Sequence, residues 1–376
     1  MTAIACITKF TAQFYQLNSS DILFLMKIMI SFPSLDIGGL SSLATELGTA
    51  AQLHGHEVML ITLYSSQAGF PQNIKFQSLN TPKARYSILK PPIFILRTFL
   101  LYFKVLRIKP DFVICLDPSS AFIFTICRFL QLKFKLAVSL YTPLNLLQSS
   151  DRIVIRLCYN FANLVVAPSL ESMKDIRLLN KKSKVKIIPN PYTTKSTFCS
   201  WPRPSLQNYN VIQFLGRLSN EKGVDQILNV AEENKDLNFR ISGDGPERWA
   251  LECKLAKLAL SNVELTGWGD TANYLPNSAL LILTSRFESF GIVVIEAWLH
   301  GLPVIAWSGA SGPRELIMQH GGGDLICEFD DLNEWGRKIR EQINNPLEDS
   351  FLSKILDEYS GYRLIQHWLK DKTELD

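Results

Sequence analysis

Short apolar runs bounded by glycine, proline and asparagine alternate along this chain with stretches whose apolar positions recur at helical spacing. In the first half the runs predict strands near residues 27–32, 57–64, 74–79, 111–116, 135–141, 163–167 and 184–189. Helices are predicted between them, notably over 40–54, 87–107, 119–130 and 170–179. The period lapses over 192–209, where Thr, Ser, Asn and Pro replace it, and then restarts. Second-half strands are expected near 210–216, 238–242, 263–266, 279–284, 303–307 and 324–328, again separated by helical stretches.

Two strand–helix series in succession imply an α/β chain with two Rossmann-like, doubly wound parallel sheets. The length of 376 residues agrees, being too great for one ordinary core. We therefore expect a first domain over 27–191, a linker over 192–209, a second domain over 210–359 and an amphipathic closing helix over 360–376. Residues 1–26 read as an extension or a mis-called start, because Met26-Lys27 opens the first strand directly. Ligands of such sheets bind beyond the carboxyl ends of the strands, so two facing domains place a site in the cleft between them.

Charge changes the picture. Residues 1–195 hold 22 Lys and Arg against 9 Asp and Glu, whereas residues 196–376 hold 17 against 26. The first half therefore faces something anionic. No aromatic–basic RNA motif and no helix-turn-helix is present, so nucleic acid is set aside in favour of an anionic membrane surface. The apolar stretch 92–106 is too short for a transmembrane helix and is broken by Arg97 and Lys104. Lys90, Arg97 and Lys104 are seven apart, with Arg107 beyond, and predict a basic stripe lying among headgroups; the alternative is a core helix with one solvated face. No basic n-region and cleavage site mark a signal peptide in the first 26 residues. The seven cysteines are scattered, with no C-x-x-C, and read as reduced, buried thiols of a cytosolic protein rather than metal ligands.

The candidate chemistry is concentrated around Glu288 and Glu296. Glu288 lies on the loop after the predicted strand 279–284, Gly291 opens an apolar helix, and Glu296 sits about one and a half turns inside it. Two carboxylates thus straddle a helix N-terminus, which offers free N–H groups and a positive dipole end to an anion, while the carboxylates accept from hydroxyl groups. Arg217 and Lys222 follow the first strand of the second series and supply a guanidinium fork and a point charge for phosphate. Gly38 and Gly39 form a glycine turn after the first strand, where backbone can approach a phosphate. Gly243-Asp-Gly-Pro246 lacks the third glycine of a dinucleotide fingerprint and reads as a tight turn, with Pro246 at the first helical position. His54, His56 and His300 read as helix-end residues, and Asp330-Asp331 as a helix cap. No Asp-x-Asp is present, so a leaving diphosphate would be neutralised by Arg217, Lys222 and the helix dipole at Gly291, and no metal is expected.

In order along the chain, these motifs resemble family 4 of the glycosyltransferases, the retaining, nucleotide-sugar-dependent enzymes of the GT-B fold. The resemblance runs from Lys27 to about Lys370. It includes Gly38-Gly39, Leu53-His-Gly-His-Glu-Val58, Lys109-Pro-Asp111, Val166-Ala-Pro-Ser169 and Ile188-Pro-Asn190. In the second half it includes Gly216-Arg217 with Lys222-Gly223, the Glu288 to Glu296 pair, Gly301-Leu-Pro-Val304 and Gly312-Pro-Arg-Glu-Leu-Ile317. The resemblance implies that Glu296 binds the ribose hydroxyls and that Glu288, with the backbone of Phe290, Gly291 and Ile292, cradles the donor sugar and phosphate. It implies Arg217 and Lys222 as the diphosphate pair, Gly39 as the first-domain contact, and the loop 267–270, beginning at Gly267, as the flank of the nucleobase. The histidine that many relatives carry after the strand near 135–141 is missing, which leaves the acceptor side unassigned, with Asp117 and Tyr141 as weak candidates.

The expected activity is a metal-independent, retaining transfer of a hexose or N-acetylhexosamine from a nucleotide-sugar, UDP-linked in the favoured reading. The nucleotide-sugar is a substrate, and no cofactor is expected. The acceptor would be a lipid-linked glycan of a bacterial surface polysaccharide or lipopolysaccharide, at the cytoplasmic, inner face of the plasma membrane. A nucleotide-sugar epimerase on the same fold, a non-catalytic sugar-nucleotide-binding protein and a Rossmann oxidoreductase are the alternatives.

Overall fold

The computed structural model describes residues 25–34, 39–64, 74–82, 90–192, 210–269, 271–343, 345 and 347–369. The linker and the N-terminal extension expected from the sequence lie outside them, apart from Tyr192 and residues 25–26. Two sheets account for the alternation. The first contains β1 (Lys27–Phe32), β2 (Glu57–Tyr64), β3 (Lys75–Thr81), β4 (Phe112–Cys115), β5 (Lys135–Ser139), β6 (Leu164–Ala167) and β7 (Val185–Ile187). The second contains β8 (Val211–Leu215), β9 (Asn238–Ser242), β10 (Val263–Thr266), β11 (Leu280–Leu283), β12 (Val304–Trp307) and β13 (Ile326–Cys327). Every strand pairing in either sheet is parallel.

Burial explains the strand sequences. β4 and β11 sit inside their sheets, are covered on both faces, and read as unbroken apolar runs with every residue buried. β3 lies at an edge and is correspondingly more polar, with Lys75, Gln77 and Asn80 exposed. The helices are α1 (Gly39–Leu53), α2 (Lys90–Ile108), α3 (Pro118–Phe129), α4 (Ser149–Cys158), α5 (Leu170–Leu179), α6 (Val224–Glu233), α7 (Arg248–Leu258), α8 (Thr271–Tyr274), α9 (Ile292–Leu299), α10 (Ser311–Gln319), α11 (Leu332–Ile343), α12 (Asp349–Glu358) and α13 (Gly361–Leu369). Each sheet is covered by a separate apolar cluster on each face.

Strand order places the sites. The first sheet runs β3-β2-β1-β4-β5-β6-β7 and the second β10-β9-β8-β11-β12-β13. The direction of winding therefore reverses between β1 and β4 in one sheet and between β8 and β11 in the other. At such a point the loops leaving the carboxyl ends diverge to opposite faces and open a crevice. The loops carrying Gly39 and Asp117 leave the first switch point; those carrying Arg217, Lys222 and Glu288 leave the second.

The chain passes between the domains twice, and the two passages are bonded together. The Tyr192 N–H donates to the Tyr359 carbonyl at 2.8 Å, and the Gly361 N–H donates to the Tyr192 carbonyl at 3.0 Å. α13 then returns to the first domain, where Leu364, Ile365 and Trp368 join the core beneath α1. His54 at the end of α1 stacks on Tyr362 of that helix, with ring centroids 3.7 Å apart.

The basic stripe expected on α2 is not a surface. Arg97 is only 8% exposed; its guanidinium donates to Thr81 Oγ1 at 2.8 Å and to the Pro82 carbonyl at 2.7 Å and lies over the Tyr64 ring. Lys104 donates to Gln77 Oε1 at 2.6 Å, so it too faces β3, while the side chain of Lys90 lies outside the described residues. Of the predicted stripe only Arg107, in the last turn, is exposed among the described side chains, and the rest of what α2 turns to solvent is mainly apolar. Two smaller expectations also shift: Cys253 is exposed among otherwise buried described thiols, and Pro246 sits in the turn before α7 rather than at its first position. None of the described helices is long and apolar enough to cross a membrane.

Candidate active site

The second switch point is built from two loops stitched to each other. After β8 the chain runs through Arg217 into a short turn, Asn220–Lys222, and reaches Gly223 at φ +61°. A Cβ at Gly223 would stand 2.1 Å from the Thr284 carbonyl oxygen, so only glycine lets the β8 loop press against the end of β11. Thr284 Oγ1 donates to the Lys222 carbonyl at 3.2 Å, and the N–H groups of Arg286 and Phe287 donate to the Glu221 carbonyl at 2.7 and 3.2 Å. Arg286 completes the clamp with a two-pronged pair to Asp225, both contacts at 2.9 Å, and a third bond to the Asn220 carbonyl. Burial alone would raise the Asp225 carboxyl, but the Arg286 fork outweighs it and holds the group below the ordinary carboxylate range.

This clamp brings Lys222 to Glu288. Their ammonium and carboxylate form an ion pair at the mouth of the loops, with each side chain about a quarter exposed. Arg217 is exposed beside them, and its charge reaches Glu221. Burial acts to raise the Glu221 carboxyl; the Ser219 hydroxyl and the Arg217 and Lys222 charges reverse that and lower it. The Glu288 main chain is fixed as well, because its carbonyl accepts the Gly312 N–H at 2.9 Å from the first turn of α10.

α9 begins at Gly291, whose φ of +88° makes the left-handed turn and which offers no capping side chain to the first N–H groups of the helix. Those groups and the positive end of the dipole therefore open toward the Glu288 loop. Phe290 is buried, Ile292 opens the helix, and Glu296 is half-buried on it. Lys222 and Glu288 are thus paired on the loop that leads into the N-terminus of α9, with the exposed Arg217 on the neighbouring loop.

The glycine loop after β9 supports that rim. A Cβ at Gly245 would lie 2.3 Å from the Leu218 carbonyl oxygen, and the Leu218 N–H donates to the Asp244 carbonyl at 2.9 Å. The tight turn expected there is thus a backing for the Arg217 loop. Gly39 and Gly267 behave differently: a Cβ at either would meet nothing within 4 Å. Gly38 lies outside the described residues, as does Asp270.

Neither acceptor-side candidate presents its functional atoms to the cleft. Asp117 is 7% exposed and caps α3, accepting from the Ser120 N–H at 3.0 Å and from the Ser120 hydroxyl. Its carboxyl is pushed up to about 6, chiefly by burial. The Tyr141 hydroxyl is buried without a hydrogen-bond partner, and burial raises its ionisation far above the usual phenol range. Tyr141 does meet the second domain, through its main chain: its carbonyl accepts from Ser289 Oγ at 2.6 Å, next to Glu288.

Sequence spacing gives no sign of three residues that matter here, namely Arg286, Ser289 and Glu315. Glu315 on α10 accepts the Leu170 N–H at the start of α5, across the domains. A cavity of about 210 Å³ lies in the same seam, between Pro168, Ser169 and Pro189 on one side and Phe290, Gly312 and Tyr359 on the other. A wider concavity of about 780 Å³, bordered by Trp307, Phe329 and Asp331, includes none of Arg217, Lys222, Glu288 and Glu296. Among the described residues no group of three or more His, Cys, Asp and Glu side chains is placed to hold a metal ion.

Known proteins share this fold. Residues 37–196 match the family described as Glycosyltransferase Family 4, and residues 200–358 match Glycosyl transferases group 1. The chain is 23% identical over 290 residues to the amylovoran biosynthesis glycosyltransferase of Erwinia amylovora, covering 76% of this chain and 81% of that one. The fold is similar to that of Anabaena HepE, solved in complex with UDP and glucose, with a TM-score of 0.71 at 17% identity over 92% of this chain and 98% of that one. The lipopolysaccharide outer core galactosyltransferase WaaB, in its apo form, gives a TM-score of 0.69 at 18% identity over the same shares, 92% and 98%. With two parallel-sheet domains meeting at paired switch points and both halves matched in order, the chain belongs to the family 4, group 1 glycosyltransferases and has the GT-B fold.

Proposed function

We propose that the protein is a retaining glycosyltransferase that takes a hexosyl or N-acetylhexosaminyl group from a UDP-sugar and passes it to a lipid-linked glycan. The product would serve bacterial surface polysaccharide or lipopolysaccharide synthesis, as the relatives' names indicate for those proteins. The observation that carries the donor half is the constellation at the second switch point, where Lys222 meets Glu288 in front of the uncapped start of α9.

Each group then has a task. Arg217, Lys222 and the first N–H groups of α9 hold the diphosphate and stabilise the charge that grows on it as the sugar leaves. Glu296 accepts from the ribose hydroxyls, and Glu288 with the backbone of Phe290, Gly291 and Ile292 orients the donor sugar. Gly39 and Gly267, where a side chain would meet only open space, let backbone come close to the donor from the first domain and to the base from the second. The bond from the anomeric carbon to the phosphate oxygen breaks while the acceptor oxygen bonds to that carbon on the same face. The acceptor proton goes to the departing phosphate oxygen, so no protein base is required. The charge is assigned to two cations and a helix end, and activity is expected to survive chelation of metal ions. The chain would act peripherally at the inner face of the plasma membrane.

The test is transfer by purified protein with membrane extract, across UDP-, GDP- and ADP-sugars. Product formation that disappears in Glu296→Ala and Arg217→Ala supports the proposal. Tight UDP binding with no turnover of any donor overturns it in favour of a binding protein.

A further inference from the structure

The helix α2 runs alongside α3, and α3 alongside α4, as one layer on the outer face of the first sheet. α2 turns Arg97 and Lys104 inward onto β3, leaves Arg107 exposed in its last turn, and shows large apolar residues along the rest of its outer face. Ile95 is 67% exposed and Phe99 58%, and Phe103, Leu106 and Leu96 are each between 44% and 50% exposed. Positions 95, 99, 103 and 106 are spaced four, four and three, so they form a single stripe along the helix, with Leu96 beside it. Arg97 and Lys104 point the other way, onto β3. The same layer also exposes Ile153 and Leu157 on α4, and Phe129 edge-on to Phe161.

A stripe of large apolar side chains, three of them at least half exposed, is more than scattered surface hydrophobicity and marks a docking face. Charge decides what docks. Residues 90–161 contain ten Lys and Arg, three Asp and no Glu. Of the three acids, Asp117 is buried as a helix cap, and Asp111 accepts from the Lys27 N–H. Arg107, Lys109, Lys133, Arg152 and Arg156 are exposed around the layer. An apolar stripe with a basic, acid-poor border complements anionic headgroups over acyl chains.

We propose that α2 seats the protein on an anionic lipid bilayer by inserting Ile95, Phe99, Phe103 and Leu106 below the headgroups, with the exposed cations holding the border. The attachment is by apolar insertion, not by the buried Arg97. α2 packs along the edge strand β3, with Arg97 on Thr81 and Lys104 on Gln77, so the inserted face lies at that edge of the first domain. The proposal deepens the membrane-side acceptor given above and rests on it only for what the docked face serves.

Flotation of the full chain with vesicles of phosphatidylethanolamine and phosphatidylglycerol, at 3:1, tests it. The unaltered chain is expected to float, and a substantial part is expected to stay bound in 1 M salt, because insertion is not screened. Phe99→Ser with Phe103→Ser is expected to lower the bound fraction at least tenfold while leaving UDP affinity unchanged. Should that double variant fail to fold by circular dichroism, Ile95→Ser with Leu106→Ser replaces it. Equal flotation of variant and unaltered chain overturns the proposal. So does a dimer at micromolar concentration that the same substitutions abolish in a chain that does not bind vesicles, since the stripe is then an interface between copies. UDP binding and donor turnover on a soluble acceptor, measured on the same samples, are independent of flotation, so their failure rejects the transferase proposal and not this one.

Discussion

Glu315 accepts the main-chain N–H of Leu170 with both carboxylate oxygens, at 2.8 and 3.0 Å, so a side chain of the second domain caps a helix of the first. The carboxylate meets the positive end of α5, where Ser169 already fills one capping position. Together with Ser289 and the Tyr141 carbonyl, it holds the two switch points face to face. Removing it costs a cap worth about 1 kcal/mol, spent on domain closure rather than on either core. Glu315→Ala is therefore expected to leave the melting temperature within a few degrees and to enlarge the radius of gyration in solution scattering. Transfer is expected to slow by about three- to tenfold, because closure assembles the donor and acceptor halves. Glu315→Gln keeps an acceptor without the charge and should fall between.

Lys222 and Glu288 neutralise one another as an ion pair. A partly exposed pair of this kind contributes only about 0–1 kcal/mol to stability. Under the proposed function its value lies in placing both groups for the donor. Lys222→Met is expected to change stability little and to lower kcat/KM by about 10²–10³-fold, the usual cost of losing a charge at a developing anion. Arg217→Ala, at the exposed rim, should weaken donor binding with an equally small effect on melting. Steady-state kinetics and thermal melts on the same preparations check both.

Two classes of glycine can be separated by one substitution each. A Cβ at Gly312 would fall 2.4 Å from the Phe290 nitrogen and 2.6 Å from its Cα, in the backbone that carries Glu288. Gly312→Ala must push that loop, and a loss of about 1–3 kcal/mol in urea unfolding is expected. Gly39→Ala meets open space at the start of α1 and should be neutral or slightly stabilising. If backbone approach to the donor is the reason for that glycine, the variant still raises the donor KM about tenfold. A Gly39→Ala protein with unchanged KM removes Gly39 from the donor site.

The strands that the sequence placed end for end, such as Lys27–Phe32, Glu57–Tyr64 and Asn238–Ser242, have apolar runs that stop where the ladder stops. Others were predicted too long because burial outlasts pairing. Leu116, Leu140 and Ile188 are buried beyond the last paired residue of their strands, so hydrophobicity continues where the strand does not. α4 fills the gap between β5 and β6, with Ile153 and Leu157 pointing outward beside the buried Ile155. The Glu288 loop and the start of α9 were legible because they are local: a loop, a glycine and a helix start within nine residues of Glu288. Contacts made at long range were not. Arg97 looks like a headgroup-seeking cation until Thr81 and Tyr64 fold beside it, and Arg286 lies 61 residues from Asp225 with no periodicity to link them.

Asp117 gives a pH signature that separates a helix cap from a catalytic base. Its carboxyl is raised by burial from 3.8 to about 6, against the hydrogen bonds from Ser120 that pull it down. Between those values the folded protein keeps a proton that the unfolded chain has released. The group's contribution is fully favourable below about pH 4 and is lost as pH rises through about 6, so near neutrality a buried charge opposes folding. At about 1.4 kcal/mol per pKa unit, the effect is on the order of 2–3 kcal/mol. Asn caps as well as Asp and does not titrate. Asp117→Asn is therefore expected to unfold at higher urea than the unaltered chain at pH 7, with the gap shrinking toward pH 4, and to keep transfer activity within about threefold. Urea titrations at both pH values, read with rates at pH 7, decide it: a variant that is stable but has lost transfer would give Asp117 a role on the acceptor side and overturn proton transfer to the phosphate alone.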